Sequence, residues 1–365
     1  MTALATHLKG LIRADGPISV AEFMRIVLTG RADSYYMRGE AFGAAGDFVT
    51  APEISQIFGE LIGLWCVDTW HKLGAPKKFS LVELGPGRGT LMKDALRAAR
   101  AAPAFLSAAS LSLIEVSRVL RRLQEDALHE APVSSLRWLD RFDDLDISNG
   151  PLIVVANEFF DALPTRQFVR TGRGWFERCV GLGQHGELVF GATPDPIDAA
   201  LIPEGLRDAA AGSVVEIAPA RPVTARAVGE RIANSSGAAL VIDYGFVGPA
   251  AGDTLQAVKR HAYADVLSEP GEADLTSHVD FTALGAAFSE GGAHVSSLTG
   301  QGDFLTRLGA FERVQMLKRT ATAAQTEQLE LAYHRLTGTQ AMGSLFKVLC
   351  AYAPATLQLA GFDSE

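Results

Sequence analysis

"VELGPGRGTL", residues 82–91, places an acidic residue near the end of an apolar run and then three glycines at every second position. Its reading decides the fold. A phosphate-binding P-loop requires a lysine directly after its last glycine, and none follows here. A dinucleotide fingerprint, G-x-G-x-x-G, takes Gly85 and Gly87 but puts its third position on Thr90. The register that fits is acidic-x-Gly-x-Gly-x-Gly, on Glu83, Gly85, Gly87 and Gly89. Glycines so spaced let the backbone turn sharply and approach a ligand with no Cβ in the way. A tight turn that holds no ligand is the plain alternative.

Downstream of that motif the pattern is that of a parallel α/β sheet. "FSLVEL" (79–84) reads as a short buried strand, and "TLMKDALRAARAA" (90–102) as a helix ended by Pro103. "LSLIEV" (111–116) is a second strand, followed by "SRVLRRLQEDAL" (117–128), a helix that Ser117 caps. "SLRWLD" (135–140) is a third and "PLIVVANEFF" (151–160) a fourth, continuously apolar as a strand covered on both faces should be. Strands alternating with helices imply parallel pairing and right-handed crossovers. From about 166 to 217 the rhythm breaks into hairpin strands with Gly-containing turns, a β-rich insertion. A helix near 221–236, a buried strand at 238–246 and a helix at 281–290 resume it. "GSLFKVLCAY" (343–352) alternates like an edge strand.

Residues 1–76 read as an N-terminal helical cap, ahead of an α/β domain over 77–365. The clearest helix begins at Thr50, which has capping-box spacing with Glu53. Ile54, Phe58, Leu61 and Trp65 form its apolar face, and Gly74 with Pro76 stops it.

The acidic strand ends point to the ligand. A carboxylate at Glu83 sits badly beside a pyrophosphate and well beside an ammonium or sulfonium. Glu115, ending the second strand, is placed to hold both hydroxyls of a ribose. Together they describe S-adenosylmethionine at the carboxyl ends of strands in an open sheet. Composition agrees with a small-molecule, cationic or protein partner. With 33 Lys and Arg against 42 Asp and Glu the chain carries a net −9, and no basic face suited to nucleic acid stands out. Cys66, Cys179 and Cys350 are too scattered for a disulfide framework, and the eight histidines show no metal-ligand spacing, so no metal is expected. No apolar run approaches the ~20 residues of a membrane span. The N-terminus has neither a signal-peptide core nor a transit-peptide composition, which predicts a cytosolic protein.

Seven stretches, in order along the chain, resemble one family. They are "SYYM" (34–37), "GDFVTAPEISQIFGELIGLW" (46–65), "ELGPGRGTLMKDALR" (83–97), "EVSRVLRRLQ" (115–124), "ANEFFDALPTRQF" (156–168), "VIDYGF" (241–246) and "GEADLTSHVDF" (271–281). The sequence resembles the MidA-like proteins, mitochondrial and bacterial complex I assembly-factor methyltransferases. Arg118 departs from the pattern, where a proline is expected after the serine. The resemblance implies a class I, seven-stranded, Rossmann-like methyltransferase sheet with an N-terminal helical cap. It also implies a protein arginine methyltransferase acting on a quinone-side, peripheral-arm subunit of complex I.

Arginine methylation sets a chemical problem, because the guanidinium holds its proton and is a poor nucleophile. Carboxylates answer it by pairing bidentately with the guanidinium and accepting charge as the proton leaves. "NEFFDALP" follows the fourth strand, so Asn157, Glu158 and Asp161 emerge at the carboxyl edge of the sheet, with Phe159 and Phe160 as walls. In the other reading Asp161 caps a turn before Pro164 and the phenylalanines are core. Glu216 and Asp243 also end apolar strands, either completing an acidic pocket or anchoring a loop. His278, with Asp280 to orient it, is a candidate proton acceptor or a structural residue. Thr50, Glu53 and Gln56 are candidate contacts for the methionine tail, with Gly46 and Asp47 turning the chain before them. A small-molecule methyltransferase and an S-adenosylmethionine-binding assembly chaperone are the rival functions.

Overall fold

A computed structural model describes residues 2–38, 50–146 and 150–363. Contacts divide the chain into two compact units, each discontinuous in sequence. One comprises Val49–Phe159, Thr224–Gly245 and Leu284–Glu365; the other comprises Met1–Phe48, Phe160–Val223 and Phe246–Ala283. Gly46 and Asp47 lie outside the described residues.

The first of these units is built on an open sheet. Along the main path of this nine-stranded sheet the order is His294–Val295, Phe346–Ala353, Gly237–Phe246, Leu152–Asn157, Phe79–Leu84, Ala109–Ile114, Ser135–Leu139, and the short strand Thr299–Gly300 also pairs with Phe346–Ala353. The last five on that path are mutually parallel, and Phe346–Ala353 runs antiparallel to all three of its partners, His294–Val295, Thr299–Gly300 and Gly237–Phe246. Phe346–Ala353 is therefore an interior strand, not the edge strand its alternation predicts. Its pairing with eight residues of Gly237–Phe246 buries Phe346, Val348, Leu349, Cys350 and Ala351. The crossovers from Phe79–Leu84 lead first to one side, to Ala109–Ile114, and the chain later returns to pair Leu152–Asn157 on the other. Such a reversal opens a crevice at the carboxyl end of the strand where it occurs. That end is occupied by the glycine turn.

One local expectation is corrected and another is extended. The helix anticipated from Thr50 is broken: Ala51–Ile54 forms one turn, Ser55 is extended, and Gln56–Lys72 starts afresh with the Ser55 hydroxyl accepting from the Ile57 amide. The helix from Thr90 stops just before Pro103 as expected, after a 3₁₀ turn at Ala99–Ala101, and Pro103 in turn begins a further helix, Pro103–Ala108, where its missing N–H costs nothing. Helix Gln56–Lys72 packs tightly on Thr90–Ala98, and the close crossing needs a glycine, since a Cβ on Gly63 would meet the Ala95 carbonyl oxygen at 2.4 Å. Phe58, Leu61, Ile62 and Trp65 then enter a core shared with Phe79, Leu81, Ile153, Leu240 and Phe346. The buried carboxylate of Glu60 on the same helix is paired by Arg97 at 2.9 Å and Arg313 at 2.7 Å.

The other unit contains an antiparallel sheet in the order Ile18–Ser19, Gly174–Leu182, Arg166–Thr171, Val214–Ile217, with Leu188–Ala192 paired to Gly174–Leu182. The hairpin turn at Gly172–Arg173 lies where the glycines suggested. Helices Ala3–Asp15 and Val20–Leu28, capped by the hydroxyls of Thr2 and Ser19, bury Leu4, Leu8, Phe23 and Met24 against Val180 and Leu275. Among the described residues no helix is long and apolar enough to cross a membrane.

Candidate active site

The glycine turn is built as its spacing requires. Gly85, Gly87 and Gly89 have φ of 62°, 52° and 80°, the left-handed region that L side chains rarely adopt. The Gly85 amide donates to the Ile114 carbonyl at 3.1 Å, which ties the turn to the neighbouring strand end. A Cβ on Gly85 would stand 3.0 Å from the Phe159 ring. Thr90 opens the next helix, and its hydroxyl donates to Glu53 Oε1 at 2.6 Å. Glu53 is thus engaged across the chain, and Thr50 at the N-cap makes no side-chain capping bond, so the capping box does not form.

Glu83 lies one rung below the turn, paired laterally with Leu113 and Val155. It is 2% exposed, and its Oε2 has no hydrogen-bond partner among the described residues. Burial pushes this carboxyl up to about 8. Glu115 is buried beside it on the next strand end. Its Oε1 accepts from the Ser117 amide at 2.8 Å and its Oε2 from the Gln124 amide group at 3.3 Å. Burial raises the Glu115 carboxyl, and the Ser117 and Gln124 donors pull against it.

On the other side of the turn come Asn157 and Glu158. Glu158 has φ of 50°, a left-handed conformation costing a non-glycine residue about 1–2 kcal/mol. Its amide donates to the Ile242 carbonyl at 2.9 Å, holding the kink against the next strand. Its Oε1 accepts from the Ala51 amide at 3.3 Å and from Asn157 Nδ2 at 3.1 Å. Asn157 Oδ1, buried, has no partner among the described residues. The Thr50 segment is thereby brought to Glu158 and, through Glu53, to Thr90. Asp243 follows Ile242, the partner of Asn157, and its buried Oδ1 accepts from the Tyr244 amide at 3.0 Å.

Asp161, Glu216 and His278 belong to the other unit, where Asp161 and His278 offer their backbone carbonyls to a residue that sequence reasoning missed. Arg221, 8% exposed, donates to the carbonyls of Phe160 at 2.8 Å, His278 at 2.7 Å and Ser277 at 2.9 Å, and more weakly to that of Asp161. Glu216 Oε1 accepts from Gln167, Thr254 and Leu255 at 2.7–3.1 Å, and its Oε2 from the Thr254 hydroxyl. That hydroxyl in turn accepts from the His278 amide at 2.9 Å. Burial holds the half-buried His278 ring below the ordinary histidine range. Asp161, 3% exposed, lies near the Tyr36 hydroxyl, which donates to Asp274 at 2.7 Å. Replacing Arg221→Met strips donors from several buried carbonyls at about 1–3 kcal/mol each when unsatisfied. The expected result is a loss of about 3 kcal/mol, read as a lower denaturant midpoint; an unchanged midpoint would mean that water replaces the guanidinium.

Comparison with known proteins places this geometry. Residues 61–299 match the family described as "Putative S-adenosyl-L-methionine-dependent methyltransferase". The chain is 35% identical to "Protein arginine methyltransferase NDUFAF7, mitochondrial" of Xenopus tropicalis, over 99% of this chain and 89% of that one. The human protein of that name is also 35% identical, over 98% of this chain and 85% of its own. Among solved structures, a COG1565 superfamily member from Burkholderia thailandensis bound to S-adenosyl-homocysteine superposes with a TM-score of 0.83. It is 28% identical and covers 99% of this chain and 93% of that one. The family match spans the glycine turn and both flanking strand ends, and the relatives extend the likeness nearly end to end. The chain therefore belongs to this family of S-adenosyl-L-methionine-dependent methyltransferases, together with the NDUFAF7 proteins.

Proposed function

We propose that this enzyme methylates arginine side chains of a protein, with the cofactor seated on the glycine turn and Glu158 pairing with the guanidinium. The name carried by its relatives, protein arginine methyltransferase, supports the substrate class. The observation that carries the reading is Glu158 itself: a carboxylate kept in a costly backbone conformation, aligned by Ala51 and Asn157, next to the turn. The site residues fit the cofactor. Glu83 Oε2 and Asn157 Oδ1 are buried acceptors suited to an ammonium group, and Glu115 is a fixed carboxylate suited to two hydroxyls. S-adenosylmethionine, when bound, supplies a methyl group on a positively charged sulfur.

The protein's part is to bring a nucleophile into line with that methyl. Glu158 would orient the guanidinium plane and accept the proton that the guanidinium nitrogen gives up on taking the methyl, the methyl–sulfur bond breaking with its electron pair left on the thioether of S-adenosylhomocysteine. In the same reading Asp243 adds negative charge near Glu158, while within the other unit Glu216, saturated by internal donors, positions the Thr254–His278 segment. Thr50 and Thr90 line the methionine end. The class I, seven-stranded arrangement is part of the proposal, and the antiparallel Phe346–Ala353 strand next to the sheet edge supports it. The sequence resemblance extends the substrate to a peripheral-arm subunit of complex I.

Gly85→Ala should weaken S-adenosylmethionine at least about tenfold, because left-handed strain of about 1–2 kcal/mol adds to the contact with Phe159 at 3.0 Å. Calorimetric titration reads it, with Gly172→Ala, where a Cβ meets nothing within 4 Å, as the control. The function is tested by adding the enzyme and methyl-labelled cofactor to lysate of cells lacking it. One labelled polypeptide modified on arginine supports the reading. Label confined to small molecules, or none despite cofactor binding, overturns it in favour of a metabolite methyltransferase or a chaperone.

A further inference from the structure

Helix Arg118–Leu128 carries one polar side chain where an apolar one belongs. Leu120, Gln124 and Leu128 recur at spacings of four and are 2%, 0% and 3% exposed. A buried amide with four hydrogen-bonding positions is costly unless they are used, and here the partners are specific. Gln124 Oε1 accepts from the Trp138 indole N–H at 2.8 Å. Its Nε2 donates to the Gly87 carbonyl at 2.7 Å and to Glu115 Oε2 at 3.3 Å.

The indole fixes the direction of the amide. An indole N–H only donates, so it must face the amide oxygen. Both protons of Nε2 are then turned towards Gly87 and Glu115. One side chain thus links the middle of the glycine turn, the acidic end of the second strand and the strand Ser135–Leu139. The Ser117 amide holds the other Glu115 oxygen at 2.8 Å, so the carboxylate plane is fixed at both oxygens. Each oxygen keeps acceptor capacity for a further donor. The turn also packs on the same residue, since a Cβ on Gly89 would stand 3.4 Å from the Gln124 Cα.

We propose that Gln124 is a positioning residue of the cofactor site, setting the Glu115 carboxylate to receive the two ribose hydroxyls while it anchors the glycine turn at Gly87. Trp138 is its orienting partner. This rests on the reading of Glu115 as the ribose-binding acid.

The test is a cycle of ligand against residue. The intact chain is titrated with S-adenosylhomocysteine and with its 2′,3′-dideoxy analogue, in the wild type, Gln124→Met, Trp138→Phe and Glu115→Gln. Gln124→Met should weaken the natural ligand about 30-fold and the dideoxy analogue only about threefold, the second loss being the anchored turn. Trp138→Phe should show the same bias at about a third of the size. A loss that is equal for both ligands would reduce Gln124 to a structural residue and overturn the proposal, as would no loss at all. Thermal melts check that each variant is folded; if Gln124→Met does not fold, Trp138→Phe carries the decision by the same bias. Glu115→Gln separates the two levels. If it discriminates between the ligands while the Gln124 and Trp138 variants do not, this inference alone fails. If it does not discriminate, or the wild type binds neither ligand, the reading beneath fails and takes this one with it.

Discussion

Glu158→Gln is expected to lower the rate of methyl transfer by about 10²–10⁴-fold while the affinity for S-adenosylmethionine stays within about threefold. The substitution removes the charge and preserves the size and shape of the side chain. The present Oε1 accepts from Ala51 at 3.3 Å and from Asn157 at 3.1 Å, and a glutamine carbonyl oxygen can accept from the same two donors. The side chain therefore keeps its place, and the Thr50 segment keeps its tie to the strand end. What disappears is the capacity to accept a proton and to neutralise a guanidinium.

Glu158→Gly separates chemistry from architecture. At φ of 50° a glycine relieves strain that glutamate bears, about 1 kcal/mol, offset by the lost carboxylate contacts and the freer unfolded chain. That variant should be close to wild type in stability and inactive. Stability and activity moving apart in this way marks a residue held for function. Two results would sink the assignment. Glu158→Gln retaining activity within about threefold would make the carboxylate dispensable, and loss of cofactor affinity in parallel with rate would make Glu158 a cofactor residue.

What the sequence discloses and what it hides follow from the range of the forces involved. The strands flanking the glycine turn are legible because burial on both faces demands uninterrupted apolar runs, as at Phe79–Leu84 and Leu152–Asn157. The turn itself is legible because three left-handed residues in five demand glycine. The capping box at Thr50 fails because its signal is local while the competitor is remote: Glu53 bonds to Thr90, 37 residues away. Phe346–Ala353 reads as an edge strand because the neighbours that cover it come from distant parts of the chain. Gln124 was within reach, as a polar residue on an otherwise apolar stripe. Arg221 was not, since nothing in its neighbourhood announces that the carbonyls of Phe160, Ser277 and His278 converge on one guanidinium. The two units, assembled from three segments each, are likewise hidden in a linear reading that cuts at residue 76.

Glu83 should make cofactor binding release a proton. Its carboxyl is raised from 4.5 to about 8 by burial alone, so near pH 7 the ligand-free enzyme holds it mostly neutral. A folded-state value above the unfolded one means that the folded protein binds the extra proton between those limits. Stability from this group is then fully present below about 4.5 and is lost as pH rises through about 8. The whole excursion is of order 5 kcal/mol at 1.36 kcal/mol per unit, an upper bound because buried groups relax. A cationic ligand reverses the preference by pairing with the ionised form. Binding at pH 7 should therefore expel about one proton, and affinity should climb up to about tenfold per pH unit from pH 6 towards neutrality. The window closes near pH 7.7, where the ligand's own α-amino group begins to lose its charge. Titration calorimetry in two buffers of different ionisation enthalpy measures the proton directly. Glu83→Gln should abolish the proton release, flatten the fall in stability of the ligand-free protein, and weaken S-adenosylmethionine by about 10²-fold, the cost of leaving a buried cation unpaired. Buffer-independent heats with the wild type would place the ligand's positive charge elsewhere and leave Glu83 as a neutral hydrogen-bond donor under the glycine turn.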